Sequence, residues 1–233
     1  MHEKIVIDVQ ERKICAVLHL PNRAPRGWVI TCHGLFSSKD SDKFTTAAQQ
    51  FTAAGFSVVR FDFSGCGESS GSIAETTITR RLQELRAVVS FFQRQADIGQ
   101  NVCLFGSSLG GYLSLLYAAE QPRAILSLWA TPFDLTEIAA HLPEEQLKLL
   151  KQEFFFDAQH YRVDSVLGAL SCVQIIHGKH DTIVPWHHAE KIFATVNNPK
   201  ELILLPKGDH SLSSIDDRTT ALHKTLAWFL QFT

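Results

Sequence analysis

The 233-residue sequence has no apolar run of transmembrane length. Its opening decapeptide, MHEKIVIDVQ, lacks the apolar centre of a targeting peptide. Charge of neither sign dominates. The 22 Lys and Arg against 24 Asp and Glu leave a net −2 at pH 7 and no basic face for nucleic acid. Cys-x-x-Cys and His-Glu-x-x-His pairs are missing, and with them the common metal-site signatures. The cysteines (Cys15, Cys32, Cys66, Cys103 and Cys172) are scattered and odd in number. They imply no disulfide framework, and reduced, buried thiols in a cytoplasmic protein are expected. Internal repeats and low-complexity linkers are absent as well.

What is present is a hydrophobic fraction of 45%, enough for one sizeable core. Strand and helix signals alternate. KIVIDV and KICAVLHL, joined by QERK, form an expected antiparallel pair. GWVITCH, FSVVRFDF, NVCLFG, RAILSLWA, CVQIIHG and KELILLP are further strands. Between them lie helices. One is capped by Ser41 and Asp42 and ended by Gly55; others cover about 76–95, LGGYLSLLYAAE, about 185–196 and the last stretch with Leu222, Leu226, Phe229 and Leu230. This order predicts an α/β fold: a mostly parallel eight-stranded sheet with helices on both faces. The rhythm breaks between 133 and 168, where helical segments follow one another and Pro143 opens one of them. Residues 1–132 and 169–233 therefore read as the core, and 133–168 as a small helical cap inserted into it. In such sheets chemistry gathers beyond the carboxyl ends of the strands.

At one of those ends stands Gly106-Ser107-Ser108-Leu109-Gly110. A Gly-x-Ser-x-Gly match arises by chance about one time in ten in a chain this long, so its context decides. A strand ends at Gly106 and a helix starts by Leu109. The tight turn lifts the Ser108 hydroxyl to the helix N-terminus, and the flanking glycines remove side chains that would collide. Ser108, not Ser107, is the candidate nucleophile; the plain alternative is a helix-capping serine. Ser107 is expected to pack beneath the turn.

A serine hydroxyl needs a base. His210, in LLPKGDHS after the last strand, is the best placed of the 11 histidines; the others read as packing or surface residues, apart from His33 in the loop below. The base needs a carboxylate to orient it. Asp181, in IIHGKHDTIVP, follows a strand and precedes His210, giving the order Ser-Asp-His. Asp134 is the rival carboxylate, and Asp209 is expected to point elsewhere. An oxyanion needs N–H donors, which Leu109 and, from the HGLFSS loop after His33, Leu35 would supply.

HGLFSS, RFDFSGCGESSGS, GSSLGG, HGKHDTIVP and GDHS, in this order, resemble the α/β-hydrolase fold superfamily over nearly the whole chain. Within it the sequence is similar to small serine esterases of the feruloyl or cinnamoyl type and to relatives of monoacylglycerol lipases. The resemblance implies the α/β-hydrolase fold and a working Ser-His-Asp triad, with Arg60, Asp62 and Ser69 as loop scaffolding. The chain departs from those groups in carrying Ser107 where histidine is common, and in its short insertion.

Phe36, Phe155 and Trp186 are expected to wall an apolar acyl or aryl pocket above Ser108. No Arg or Lys cluster sits at the strand ends, which disfavours a polyanionic substrate. The expected activity is hydrolysis of small to medium carboxylic esters through an acyl-enzyme, with no cofactor and no metal. The expected partner is a small-molecule ester, with neither nucleic acid nor membrane insertion; a homodimer is allowed. A thioesterase, acyltransferase or C–C hydrolase could use the same triad. A non-catalytic binding protein on this fold is expected to lack a triad member.

Overall fold

At the amino end, β1 (His2–Val9) and β2 (Arg12–His19) form the expected hairpin, with His2 opposite His19. The continuous apolar runs that follow become strands buried along their whole length. They are β3 (Trp28–Cys32), β4 (Ser57–Phe61), β5 (Val102–Ser107), β6 (Ile125–Trp129) and β7 (Val173–Gly178). β8 (Lys200–Leu205) closes the sheet as a half-buried edge strand. The order is β1-β2-β4-β3-β5-β6-β7-β8. β1–β2 and β2–β4 pair antiparallel and the remaining pairs are parallel. This computed structural model describes residues 2–95, 102–121 and 123–233. Asn101, the expected first residue of β5, lies outside the described residues.

Both faces of the sheet are covered. On one side α1 (Asp42–Ala53) and α9 (Ile215–Phe232) bury Phe44, Phe51, Trp228 and Phe229 against Val29, Phe105 and Trp129. Phe105 meets the Phe44 ring edge-on at 5.1 Å and Trp129 at 4.7 Å. Each buried aromatic here contributes on the order of 2–3 kcal/mol. On the other side lie α2 (Ile78–Gln95) and α3 (Leu109–Ala119), with α8 (His187–Thr195) beyond them. Helix α3 is buried from Leu109 to Ala118, which explains why its sequence has no polar stripe. A polar seam pins α9 to the strands: Trp129 Nε1 donates to Thr225 Oγ1 at 3.0 Å, and the Ser127 hydroxyl lies 2.9 Å from the same Thr225 oxygen.

The stretch between β6 and β7 holds four short helices among the described residues: α4 (Leu135–Ala139), α5 (Glu144–Leu147), α6 (Gln152–Ala158) and α7 (Asp164–Leu167). Glu137 of α4 ties this stretch to α8, with an oxygen 3.1 Å from His187 Nε2 and another 3.4 Å from His188 Nε2. His188 Nδ1 accepts from the Phe133 N–H at 3.0 Å, so its proton lies on Nε2, toward Glu137. Two sequence details resolve differently. Ser41 is the N-cap residue of α1, but its hydroxyl caps no helical N–H. Pro143 is the N-cap of α5 rather than its first helical residue. The five cysteines are free, four buried and Cys172 half-buried. No helix of the described residues is long and apolar enough to cross a membrane.

The loops at the carboxyl edge are braced by charge. The Lys39 ammonium, 1% exposed, touches Asp40 at 2.6 Å, Glu68 at 2.7 Å and buried Asp62 at 3.1 Å. Arg60 donates to the Lys39 carbonyl at 2.6 Å, and Ser69 Oγ to the Asp62 carbonyl at 2.7 Å. Arg60, Asp62 and Ser69 thus do hold loops. His33 is fully buried; its Nδ1 donates to the Gly34 carbonyl at 2.7 Å and Nε2 accepts from the Phe63 N–H at 2.9 Å. Burial, reinforced by the Arg81 charge, pushes the His33 imidazole down to about 3. Burial likewise pushes His188 down to about 4, against the pull of Glu137.

Both folded values lie below the ordinary imidazole range near 6.5. Between that range and about pH 4 the unfolded chain binds protons that the folded chain refuses, so stability falls as pH drops. Calorimetry at pH 5 is expected to give a melting temperature about 5–10 °C below that at pH 7. An equal or higher value at pH 5 would contradict this assignment.

Candidate active site

The turn between β5 and α3 sets the geometry. Ser108 sits at φ 54°, ψ −124°, a strained conformation that costs roughly 1–3 kcal/mol. The glycines around it are required by close approach. A Cβ on Gly110 would lie 1.9 Å from the Cys32 carbonyl oxygen, and one on Gly106 would lie 2.6 Å from the Gly111 Cα. The turn is thereby packed hard against the end of β3, with Ser108 Cβ 3.3 Å from where a Gly34 Cβ would stand. The Ser108 N–H donates to the Trp129 carbonyl at 2.8 Å, which anchors the turn to β6.

His210 lies in the loop after β8. Its Nε2 is 3.2 Å from Ser108 Oγ, and its Nδ1 is 2.8 Å from Asp181 Oδ2. That bond assigns the Nδ1 proton to the Asp181 side and leaves Nε2 free to accept from the serine hydroxyl. Asp181, in the loop after β7, has a fully buried side chain. Its Oδ1 accepts the N–H groups of Ile183 at 2.9 Å and Val184 at 2.8 Å; its Oδ2 also faces His177 Nε2 at 3.1 Å. Burial alone would raise its pKa. The bonds to His177 and His210 and the adjacent imidazole charge outweigh that and hold it well below the usual carboxylate range.

The rival carboxylates are engaged elsewhere. Asp134 caps α4 through the Thr136 N–H at 2.8 Å, and Asp209 accepts the Ser213 N–H at 2.8 Å. His177, read from sequence as a packing residue, is the one unexpected partner of Asp181. Its spacing of four residues from Asp181 was the available signal. The N–H groups of Leu35 and Leu109 donate to no described residue, and both residues line the space in front of Ser108.

That space is a cavity of about 510 Å³. Its roof is apolar, with Leu135, Ile138, Leu142 and Phe154 from the stretch between β6 and β7. Phe36 lines it, as expected. Phe155 and Trp186 do not. Phe154 is the residue of α6 that turns inward; Phe155 packs edge-on against its ring at 5.4 Å, within the core beside it. Trp186 lies outside the cavity under the Lys179 ammonium, 5.3 Å from the ring centre. The floor holds two cations the sequence pattern did not reveal, Lys43 and Arg218, which come from helix starts rather than strand ends. Lys43 Nζ donates to Ser107 Oγ at 3.0 Å. Ser107 is therefore a bonded member of the cavity wall, not packing alone.

Two groups of described residues have the composition of metal sites. Asp40, Asp62 and Glu68 already surround the Lys39 ammonium. Glu137, His187 and His188 form the second, but His188 would have to lose the Nε2 proton that its bond from Phe133 assigns to it.

Comparison with known proteins agrees with this architecture. The Est1E protein of Butyrivibrio proteoclasticus, solved with ferulic acid, superposes with a TM-score of 0.87 at 22% identity, covering 97% of this chain and 98% of that one. Mouse alpha/beta hydrolase domain-containing protein 10 superposes with a TM-score of 0.83 at 24% identity, over 99% of this chain and all of that one. In sequence, the mouse mitochondrial palmitoyl-protein thioesterase ABHD10 is 26% identical over 214 residues, 81% of this chain and 70% of that protein. The Escherichia coli O157:H7 protein YfhR, described as uncharacterized, is 28% identical over 166 residues. That match spans 70% of this chain and little more than half, 56%, of YfhR. The family model for the alpha/beta hydrolase fold matches residues 27–155, more than half of the sequence and the stretch that carries Ser108. The chain belongs to the alpha/beta hydrolase family.

Proposed function

We propose that the protein is a serine hydrolase that cleaves carboxylic esters of small to medium acyl or aryl acids. The observation that carries this reading is the hydrogen-bonded line from Ser108 Oγ through His210 to Asp181, at 3.2 and 2.8 Å. Ser108 Oγ attacks the ester carbonyl while His210 Nε2 takes its proton. The carbonyl electron pair moves to oxygen, and the N–H groups of Leu35 and Leu109 receive that oxyanion. Collapse expels the alcohol, which takes the proton back from His210. Water, deprotonated by the same imidazole, then releases the acid. Asp181 stays ionised because its bonds hold its pKa down, so it stabilises the imidazolium in both half-reactions. The apolar roof of the cavity supports an acyl or aryl group as the bound portion. A cytoplasmic location belongs to the same reading, with the five free cysteines as its support.

A thioester is the second reading. It is favoured by the likeness to the thioesterase ABHD10 along 81% of this chain. The two differ in the leaving group that His210 must protonate, and a matched pair of substrates separates them.

Ser108→Ala is expected to lower kcat/KM for p-nitrophenyl acetate by on the order of 10⁴-fold or more with an unchanged circular dichroism spectrum. Asp181→Asn is expected to lose about 10⁴-fold, because the wrong tautomer of His210 is favoured. Turnover retained by folded Ser108→Ala would sink the assignment. Against an oxygen ester and a thioester of one acid, the ester is expected to have the higher kcat/KM. A thioester preference of about tenfold or more, beyond about 1.4 kcal/mol, would replace the first reading with the second.

A further inference from the structure

The floor of the cavity breaks a local rule. Lys43 is the second residue of α1, where the helix dipole presents positive charge and a cation is disfavoured. It is half-buried, although a lysine on a first turn can ordinarily reach water. Its one hydrogen bond among the described residues goes to a neutral acceptor, Ser107 Oγ, and no carboxylate pairs with it. Two of its three donors therefore have no acceptor among the described residues. Arg218 lines the same cavity, and its guanidinium meets only Asp42, at 3.6 Å, too long for a hydrogen bond. Asp42 itself is 81% exposed. Such departures from local consistency gather at functional sites, where a ligand supplies what the fold withholds.

The position of these cations relates them to the reaction. Ser107 is the residue before Ser108, so a group on Lys43 sits beside the scissile bond. The cavity also exposes Leu135, Ile138, Leu142 and Phe154. Lys43 and Arg218 bring two positive charges; of the carboxylates nearby, Asp42 stands exposed 3.6 Å from the guanidinium, Asp181 is bonded to His210 and Asp209 accepts the Ser213 N–H, so the two cations are only partly balanced. That partial excess complements a monoanionic carboxylate better than a phosphate monoester, which carries about −1.5 to −2 near neutral pH. We propose that the ester cleaved at Ser108 also carries a free carboxylate, held by Lys43 and Arg218 on the floor of the cavity while its apolar part lies under the inserted helices. This inference rests on the esterase reading above and names the substrate class of that same site.

A second property of Lys43 gives the subsite a pH signature. Burial lowers its ammonium to about 8, aided by the Arg218 charge and opposed by Asp209 and Asp181. Those three, with Asp42 and His210, are the charged and titratable groups around it. Lys43 is charged below about 8 and loses its charge as pH rises through that value.

The test uses two matched pairs: 4-acetoxybenzoate against its methyl ester, and mono-(4-nitrophenyl) adipate against its methyl ester. They place the carboxylate on the alcohol and acyl sides. The wild-type protein is expected to favour the carboxylate member of at least one pair by about tenfold in kcat/KM, as one charge-assisted hydrogen bond allows. Lys43→Gln, which removes the charge but keeps a donor amide, and Arg218→Gln are each expected to reduce that ratio by about tenfold. The ratio is expected to fall as pH rises through about 8 in the wild type but not in Lys43→Gln. A preference for the neutral member of both pairs, or an equal loss on both members in the variants, would overturn the proposal. So would stronger inhibition by inorganic phosphate than by benzoate. If no ester is cleaved in a Ser108-dependent way, the esterase reading fails first. Benzoate titrated into Ser108→Ala by calorimetry then judges the subsite alone. Binding weakened about tenfold by Lys43→Gln supports it, and binding indifferent to Lys43 rejects it.

Discussion

Everything at this site depends on how closely the turn after β5 can press against the end of β3. Gly110 touches the Cys32 carbonyl so tightly that no Cβ could fit, and Gly34 faces the Ser108 side chain across the same contact. That contact holds Leu35, Ser108 and Leu109 around one cavity. The positive φ of Ser108 stores a small amount of strain, which is offset by the fully buried helix α3 and by the bond from Ser108 N–H to β6. His210 and Asp181 are delivered to this fixed point from the ends of β8 and β7. A similar close approach assists them, because a Cβ on Gly178 would fall 2.1 Å from the Gly208 carbonyl oxygen.

The electrostatics follow from the same packing. Asp181 is buried but receives two N–H groups and faces two imidazoles, so it can remain ionised where a bare carboxylate could not. His33, at the other side of the turn, is buried without a carboxylate partner and is held neutral; its two bonds fix the loop that carries Leu35. Lys39 braces the far end of that loop against three carboxylates. Only Asp62 among them is buried, and breaking a buried pair such as Lys39–Asp62 typically costs about 3–5 kcal/mol.

How far the sequence could be read follows from where each residue's position is decided. The strands, their order of appearance and the inserted helices were legible because apolar runs and turn residues are local signals. Ser108, Asp181 and His210 were legible because each stands just after a strand, and a parallel sheet brings strand ends together. The cavity was legible only in part. Which phenylalanine of α6 turns inward depends on the phase of a seven-residue helix, and packing chose Phe154 over Phe155. Trp186 follows Asp181 closely in sequence, but the start of α8 carries it away from Ser108. Lys43 and Arg218 lie on the first turns of helices far from Ser108 in sequence, where no spacing rule connects them to it. His177 needed only attention to its spacing from Asp181.

The central claim is that Ser108 is an activated nucleophile facing an open cavity. Reaction of the native protein with a fluorophosphonate, followed by mass analysis of its peptides, tests this most directly. The account predicts a single stoichiometric adduct on Ser108, formed quickly in the wild type and far more slowly once His210 is replaced. A folded protein that stays unlabelled, or a label on Ser107 or any other residue in place of Ser108, would contradict it.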